Sequence, residues 1–349
     1  MLQGETGDGI IIFGTVNMSA ASEKIAYLER VASNVPVFEK TEIGGIPISL
    51  LANFSDLYTS VKILGHGASG MVKCYREKST SNLYAMKEMT IFRAEDLESL
   101  YGEVDILREL SESINSPSIV KYHDCFVRRS GKDMIFVIVT EYIEGACLQD
   151  YINAAINENK HFCMKTVLNI AYWLFDILAI LHSRGYVHRD IKPNNIMVDH
   201  VNNRFVLIDF GLTCSINAKT SKSSNTLCTT GEFPGTVIFM APESWDTRSR
   251  SRKRFTPRSG NKLDRLKLLD IWAAGVTIYM LAENKVPWTE KFANGIIGQI
   301  TDKNGISYER SNTIKDVMDL ALQKNPSERV HAEYIRDYIG TVVSNSKMK

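Results

Sequence analysis

His188-Arg189-Asp190-Ile191-Lys192-Pro193-Asn194-Asn195 is followed, nineteen residues after Asp190, by Asp209-Phe210-Gly211, and these two runs decide the reading of the chain. Between them they hold a carboxylate suited to accept a proton (Asp190) and an ammonium suited to a transferred phosphoryl group (Lys192). They also hold two oxygen donors suited to magnesium (Asn195 and Asp209). Phosphoryl transfer asks mainly for positioning and for neutralisation of charge spread over phosphate oxygens. The expected chemistry is therefore phosphotransfer.

Upstream, Gly65-His66-Gly67-Ala68-Ser69-Gly70-Met71-Val72 fits G-x-G-x-x-G-x-V between two predicted strands. Glycines there let backbone N–H groups approach phosphate oxygens without a Cβ in the way. A plain glycine turn fits the same run equally well. What favours the phosphate reading is Tyr84-Ala85-Met86-Lys87, fifteen residues after Val72 on what should be the adjacent strand. A lysine ending an apolar run points into a partly desolvated place and needs an anionic partner. Glu103, on the next predicted helix, is the natural one.

Pattern reading supports a division into two halves. Val61–Leu64, Met71–Tyr75 and Leu83–Lys87 read as strands, Ala94–Leu110 as a helix, and Met134–Thr140 as a buried strand. Beyond them the chain turns helical. Thr166–Ser183 places Val167, Ile170, Ala171, Leu174, Leu178 and Leu181 on one face at the 3.6-residue period. A sheet-rich half followed by a helical half implies a cleft, where cofactor sites tend to sit. Residues 1 to about 55 carry no assignable motif, and Ser19–Arg30 reads as a short amphipathic packing helix.

These runs together resemble eukaryotic protein kinases over roughly residues 57–340. Further matches are Ala241-Pro242-Glu243, Asp270-Ile271-Trp272 with Gly275, and Asn325-Pro326-Ser327-Glu328-Arg329. The resemblance implies an α+β, two-lobed fold: a small β-rich N-lobe (57–140) with one main helix and a larger, mostly helical C-lobe (145–340). Residues 1–56 would then be an N-terminal extension and 341–349 a short tail. It implies ATP and Mg2+ as cofactors. Asp190 would take the substrate hydroxyl proton and Lys192 would stabilise the γ-phosphoryl group. Asn195 and Asp209 would hold magnesium, and Lys87, braced by Glu103, would orient the α- and β-phosphates. The nucleotide site would comprise Leu64, Gly65, Gly67, Ser69, Gly70, Val72, Ala85, Lys87, Thr140, Glu141, Ile143, Asn195 and Asp209. Lys192 and the Gly235-Thr236 pair resemble serine/threonine rather than tyrosine kinases, so protein Ser and Thr side chains are the expected acceptors. Glu243 and Arg329 would form a buried ion pair.

Composition narrows the setting. The 349 residues carry a net charge of +1, so bulk electrostatics points to neither nucleic acid nor membrane as a partner. The six cysteines lie far apart without a CxxC pair, which suits a reducing compartment rather than a disulfide framework. The N-terminus lacks a basic n-region and no apolar stretch is expected to reach transmembrane length. The expected location is cytoplasmic, with the nucleus as an option.

Departures from the family pattern fall on two loops. The stretch Asp209–Glu243 is about ten residues longer than usual, and ten Ser/Thr occupy positions 213–236. Counted back from Glu243, the usual phosphosite falls on Glu232, which would partly stand in for phosphate, with Thr229 and Thr230 as further sites. A solvated loop acid is the plainer reading. Residues 248–262 hold seven Lys/Arg and no acid. That insert would favour acidic substrates, dock a partner or direct nuclear import, or be only a solvated loop. Cys147 falls where relatives place an acidic residue on the ATP ribose. The segments around Asp270, Gly235 and Lys324 resemble calcium/calmodulin-dependent protein kinase kinases and their fungal counterparts, although the chain leaves little room for a calmodulin-binding tail. Competing readings are a nucleotide-binding pseudokinase scaffold and a small-molecule kinase, the first opposed by intact Lys87, Asp190, Asn195 and Asp209, the second by Ala241-Pro242-Glu243.

Overall fold

Strands build the first half. In the computed structural model, which describes residues 35–43, 46–67, 70–114, 116–216, 227–228, 235–245, 264–302, 306, 308 and 312–346, strands β1 (Phe38–Ile43), β2 (Ile46–Leu51), β3 (Tyr58–Gly67), β4 (Gly70–Glu77), β5 (Leu83–Thr90), β6 (Tyr122–Ser130) and β7 (Asp133–Glu141) form one seven-stranded sheet. Its order is β1-β2-β6-β7-β5-β4-β3, antiparallel except where β2 meets β6. The one-turn helix α1 (Phe54–Leu57) joins β2 to β3.

Two of those strands come from the stretch that carries no motif. Ile48, Leu50 and Leu51 are buried, so the hairpin is part of the lobe and not an appendage to it. Its sequence carries no distinctive motif or clear period, so sequence reading gave no signal for it. The predicted helix at 19–30 lies outside the described residues.

Helix α2 (Ala94–Ser113) packs under the sheet through Leu97, Val104, Leu107 and Leu110, spaced so that one stripe faces the core. The second half is helical: α3 (Leu148–Asn157), α4 (Met164–Ser183), α5 (Lys267–Glu283), α6 (Ala293–Thr301), α7 (Asn312–Ala321) and α8 (Ala332–Ser346). Helix α8 carries the fold to Ser346, so most of the expected tail 341–349 is helical. Helix α4 packs against α5 and α8. At 20 residues it is long and apolar enough to cross a membrane, contrary to the expectation that no such stretch exists. Val167, Ala171, Leu174, Leu178 and Leu181 are nonetheless buried inside the lobe, where a core helix must be apolar on most of its faces.

Short strands line the junction between halves. β8 (Gly145–Cys147), β10 (Ile196–Asp199) and β11 (Arg204–Leu207) form a three-stranded sheet, while β9 (Tyr186–Val187) pairs with β12 (Cys214–Ser215). The catalytic run lies between β9 and β10, and Asp209-Phe210-Gly211 lies between β11 and β12. Both candidate runs are thus pinned at each end by strand pairing.

Candidate active site

Strand register places the nucleotide-side residues. β4 pairs with β5 so that Val72 lies opposite Lys87, and β5 pairs with β7 so that Ala85 lies opposite Thr140. The Thr140 hydroxyl donates to the Ala85 carbonyl at 3.3 Å. Leu64 and Gly65 lie in the last turn-side third of β3, with Leu64 exposed, and Ile143 is buried just past β7. Gly70 is held at φ +134°, and a Cβ there would lie 2.3 Å from the Glu88 carbonyl oxygen, so only glycine fits. Ser69 lies outside the described residues.

Lys87 is where the two halves meet. Its ammonium lies 2.7 Å from Glu103 Oε1 on α2 and 3.1 Å from Asp209 Oδ1. Burial alone would lower the lysine pKa, but the two carboxylates outweigh it and hold it above its ordinary value. Burial pushes the Glu103 carboxyl up despite its lysine partner. Burial would raise Asp209 too, yet the Lys87 charge prevails and keeps it low, ready to act as an anionic ligand. Gly211 leaves the space: a Cβ there would lie 3.1 Å from Lys87 Nζ and 3.2 Å from Glu103 Oε2.

The catalytic run forms a second cluster. Lys192 Nζ donates to Asp190 Oδ2 at 2.6 Å and to the Thr236 hydroxyl at 3.1 Å, and that hydroxyl donates to Asp190 Oδ1 at 3.2 Å. Asn195 Nδ2 donates to the Asp190 carbonyl at 2.8 Å and to its Oδ2 at 3.0 Å. This arrangement turns the amide oxygen of Asn195, the end that could hold a metal ion, away from Asp190. A small hollow beside Asp190 is lined by Arg189, Thr236 and Ser244 together with Phe239, Met240 and Leu269, a mixed polar and apolar wall next to the candidate base.

Arg189 and Asp209 both take the left-handed backbone, at φ 67° and φ 59°. Non-glycine residues there carry a conformational cost that the surroundings must offset. Asp270, fully buried on α5, supplies much of that for the first. Its carboxylate accepts His188 N–H at 2.8 Å and Arg189 N–H at 2.7 Å, and it meets His182 Nε2 at 2.9 Å. Sequence reading flagged Asp270 as a family match without assigning it this task. The contact is with residues more than eighty positions away, so no local signal carries it.

Glu141, expected at the nucleotide site, engages its side chain elsewhere. Its side chain bonds Arg204 Nη2 at 2.6 Å and accepts Lys121 N–H at 3.0 Å, so any share in nucleotide binding falls to its backbone. Arg204 also donates to Asp199 at 2.8 Å and to the Pro117 carbonyl at 2.8 Å, tying the inter-lobe strand to the second half. Cys147 sits at the start of α3 with its sulfur 3.1 Å from Asp150, and burial pushes its thiol pKa up, disfavouring the reactive thiolate.

Two oxygen-bearing side chains, Asn195 and Asp209, fit magnesium, a hard cation that keeps water and phosphate in its shell. Among the described residues, no group of three or more His, Cys, Asp and Glu could hold a metal by itself.

The protein kinase domain family matches residues 58–338. The chain belongs to the protein kinase family. Its kinase domain is 29% identical over 294 residues to the serine/threonine-protein kinase sck2 of Schizosaccharomyces pombe, covering 82% of this chain and 40% of that protein. It is 28% identical to the MAP kinase kinase MKK1/SSP32 of Saccharomyces cerevisiae, covering 80% of this chain and 52% of that one. It is also 28% identical to mitogen-activated protein kinase kinase kinase 3 of Arabidopsis thaliana, covering 79% and 41% respectively. This kinase chain therefore spans about half the length or less of these relatives. Their names belong to other groups than the calcium/calmodulin-dependent kinase kinases, and the subgroup expectation gains no support from them.

The ion pair expected of the family is formed. Arg329 Nη1 and Nη2 lie 2.7 and 3.2 Å from the two carboxylate oxygens of Glu243, and the guanidinium sits 5.1 Å from the centre of the Trp272 ring. Glu232, Thr229, Thr230 and the basic insert 248–262 lie outside the described residues. One cysteine expectation is corrected: Cys214 and Cys228 form a disulfide. Fourteen residues separate them, too far for a spacing rule to pair.

Proposed function

We propose that this chain is an ATP-dependent serine/threonine protein kinase. The observation that carries the reading is the convergence of Asp190, Lys192, Asn195 and Thr236 within hydrogen-bond reach, beside the Lys87–Glu103–Asp209 ion cluster. Asp190, oriented by Asn195 and Thr236, accepts the proton of an incoming Ser or Thr hydroxyl. Lys192 faces the same point and offsets charge on the transferring phosphoryl group. Lys87, fixed by Glu103, anchors the non-transferred phosphates. A magnesium ion held by Asn195 and Asp209 would supply further positive charge to the phosphate oxygens.

Relatives named as a MAP kinase kinase and a MAP kinase kinase kinase support a signalling role in which other kinases are among the substrates. The segments resembling calcium/calmodulin-dependent kinase kinases are the sole support for that finer group. The basic run 248–262 would dock an acidic substrate or partner, and a cytoplasmic location, with nuclear entry through this run, goes with that reading. The direct test is incubation with γ-labelled ATP, magnesium and a mixed protein substrate, with mass-spectrometric mapping of the label. Label on Ser and Thr that disappears in Asp190→Asn is expected. Normal ATP binding with no transfer to any protein would overturn the reading in favour of a nucleotide-binding scaffold.

A further inference from the structure

The disulfide lies in a place that bears on the catalytic run. Cys214 and Cys228 have Cα atoms 5.0 Å apart. The backbone brings them together independently of the sulfurs: Cys228 N–H donates to the Ser215 carbonyl at 2.8 Å, and Ser215 forms a parallel bridge with Leu227. Cys214 is buried with Val187, Ile216 and Leu266, and Cys228 packs half-buried against the same cluster.

Cys214 opens β12, which pairs with β9 through Val187, the residue before His188. Two positions before Cys214, the Leu212 carbonyl accepts Arg189 Nε at 2.6 Å. The covalent bond thus fastens the chain at Cys228 to β12, the strand that pairs with β9 at the entrance to the catalytic run. It does so with an arginine of that run already engaged by the backbone it fastens.

We infer that Cys214 and Cys228 form a reversible redox crosslink that holds the segment after Asp209 in its catalytic arrangement, making the oxidised protein the more active form. This rests on the kinase reading above. Formation needs a two-electron acceptor, for which a low-molecular-weight disulfide serves. The more accessible Cys228 thiolate attacks one sulfur of that disulfide and expels a thiolate, leaving a mixed disulfide. The Cys214 thiolate then attacks Cys228 Sγ and expels the second thiolate. Two protons leave the cysteines and two small thiols are formed, so electrons and atoms balance.

Closing a loop of this length removes many open conformers of the segment, so the predicted gain in kcat/KM is on the order of tenfold. The test equilibrates the full chain in glutathione buffers of graded reduced-to-oxidised ratio. It measures phosphate transfer to a mixed protein substrate and, in parallel, maps tryptic peptides without reduction. Cleavage at Arg204, Lys219, Lys222 and Arg248 should leave peptide 205–219 linked to peptide 223–248 in the oxidised sample. Activity should fall about tenfold in step with loss of that link. Cys228→Ser and the double variant Cys214→Ser/Cys228→Ser should both sit at the reduced level and ignore the buffer. A link that never forms, activity equal in both states, activity rising on reduction, or a full redox response in the double variant would each overturn the inference. Absence of transfer in every state would overturn the kinase reading and the catalytic part of this inference with it, while the linked peptide would still report the crosslink.

Discussion

At the residue scale, function depends on a few side chains whose partners differ sharply in sequence distance. Asp190, Lys192 and Asn195 are neighbours in the chain, and that run singled them out as candidates. Thr236 joins them from more than forty residues away through hydrogen bonds to Asp190 and Lys192. Asp190→Asn keeps the shape but loses the proton acceptor, and kcat should fall by roughly 10²–10⁴-fold with ATP affinity retained. Steady-state kinetics with a labelled-phosphate readout and a nucleotide-binding titration together check this. Lys87→Met leaves Glu103 buried without its cation, so a loss of ATP affinity should come with a drop in thermal stability. Unchanged melting alongside lost nucleotide binding would contradict the bracing role given to Glu103.

At the element scale, strand pairing and one helix decide what the motif residues can do. β9 and β12 clamp the two runs, and α5 presents Asp270 under the strained turn at Arg189. His188, at the base of this turn, is fully buried 5.0 Å from the Phe210 ring, and burial holds its imidazole pKa below the ordinary 6.5. The unfolded chain therefore takes up a proton near 6.5 that the native state refuses. This contribution to stability is present above that pH and is lost as pH falls through it. Burial lowers His123 in the same direction, while Glu103, raised by burial, acts oppositely. Melting temperature should decline from about pH 7.5 to about pH 5.5, and a flat or rising profile would remove the buried neutral imidazole. Helices α2 and α4 and strands β3, β4, β5 and β7 were readable in the sequence, α4 from its 3.6-residue period, whereas α5 to α8 were not singled out. Disulfide pairing and the Glu141–Arg204 contact were not, because neither follows from local spacing.

At the scale of the whole molecule, two features set stability. The Glu243–Arg329 pair is buried and bidentate, so Arg329→Ala strands a carboxylate and should cost about 3–5 kcal/mol. Denaturant unfolding measures it, and a cost under about 1 kcal/mol would place the pair effectively in solvent. The N-terminal hairpin is the other. Leu50 is buried at the sheet's extended edge, so Leu50→Ala should cost about 2–5 kcal/mol, whereas Lys40→Ala, on the exposed outer strand, should change little. Equal effects would mean that the hairpin is not docked as described.

The sequence by itself determined the reaction class and the two-lobed fold, and it named the residues that the structure gathers into the candidate site. Phosphate chemistry demands particular side chains at short spacings, and burial imposes its period on helices and strands. Only the tertiary structure decided that residues 35–53 complete the sheet, that Asp270 supports the Arg189 turn, that Glu141 is committed to Arg204, and that Cys214 meets Cys228. Each of these depends on contacts between residues far apart in the chain, and such contacts exist only once the chain has folded.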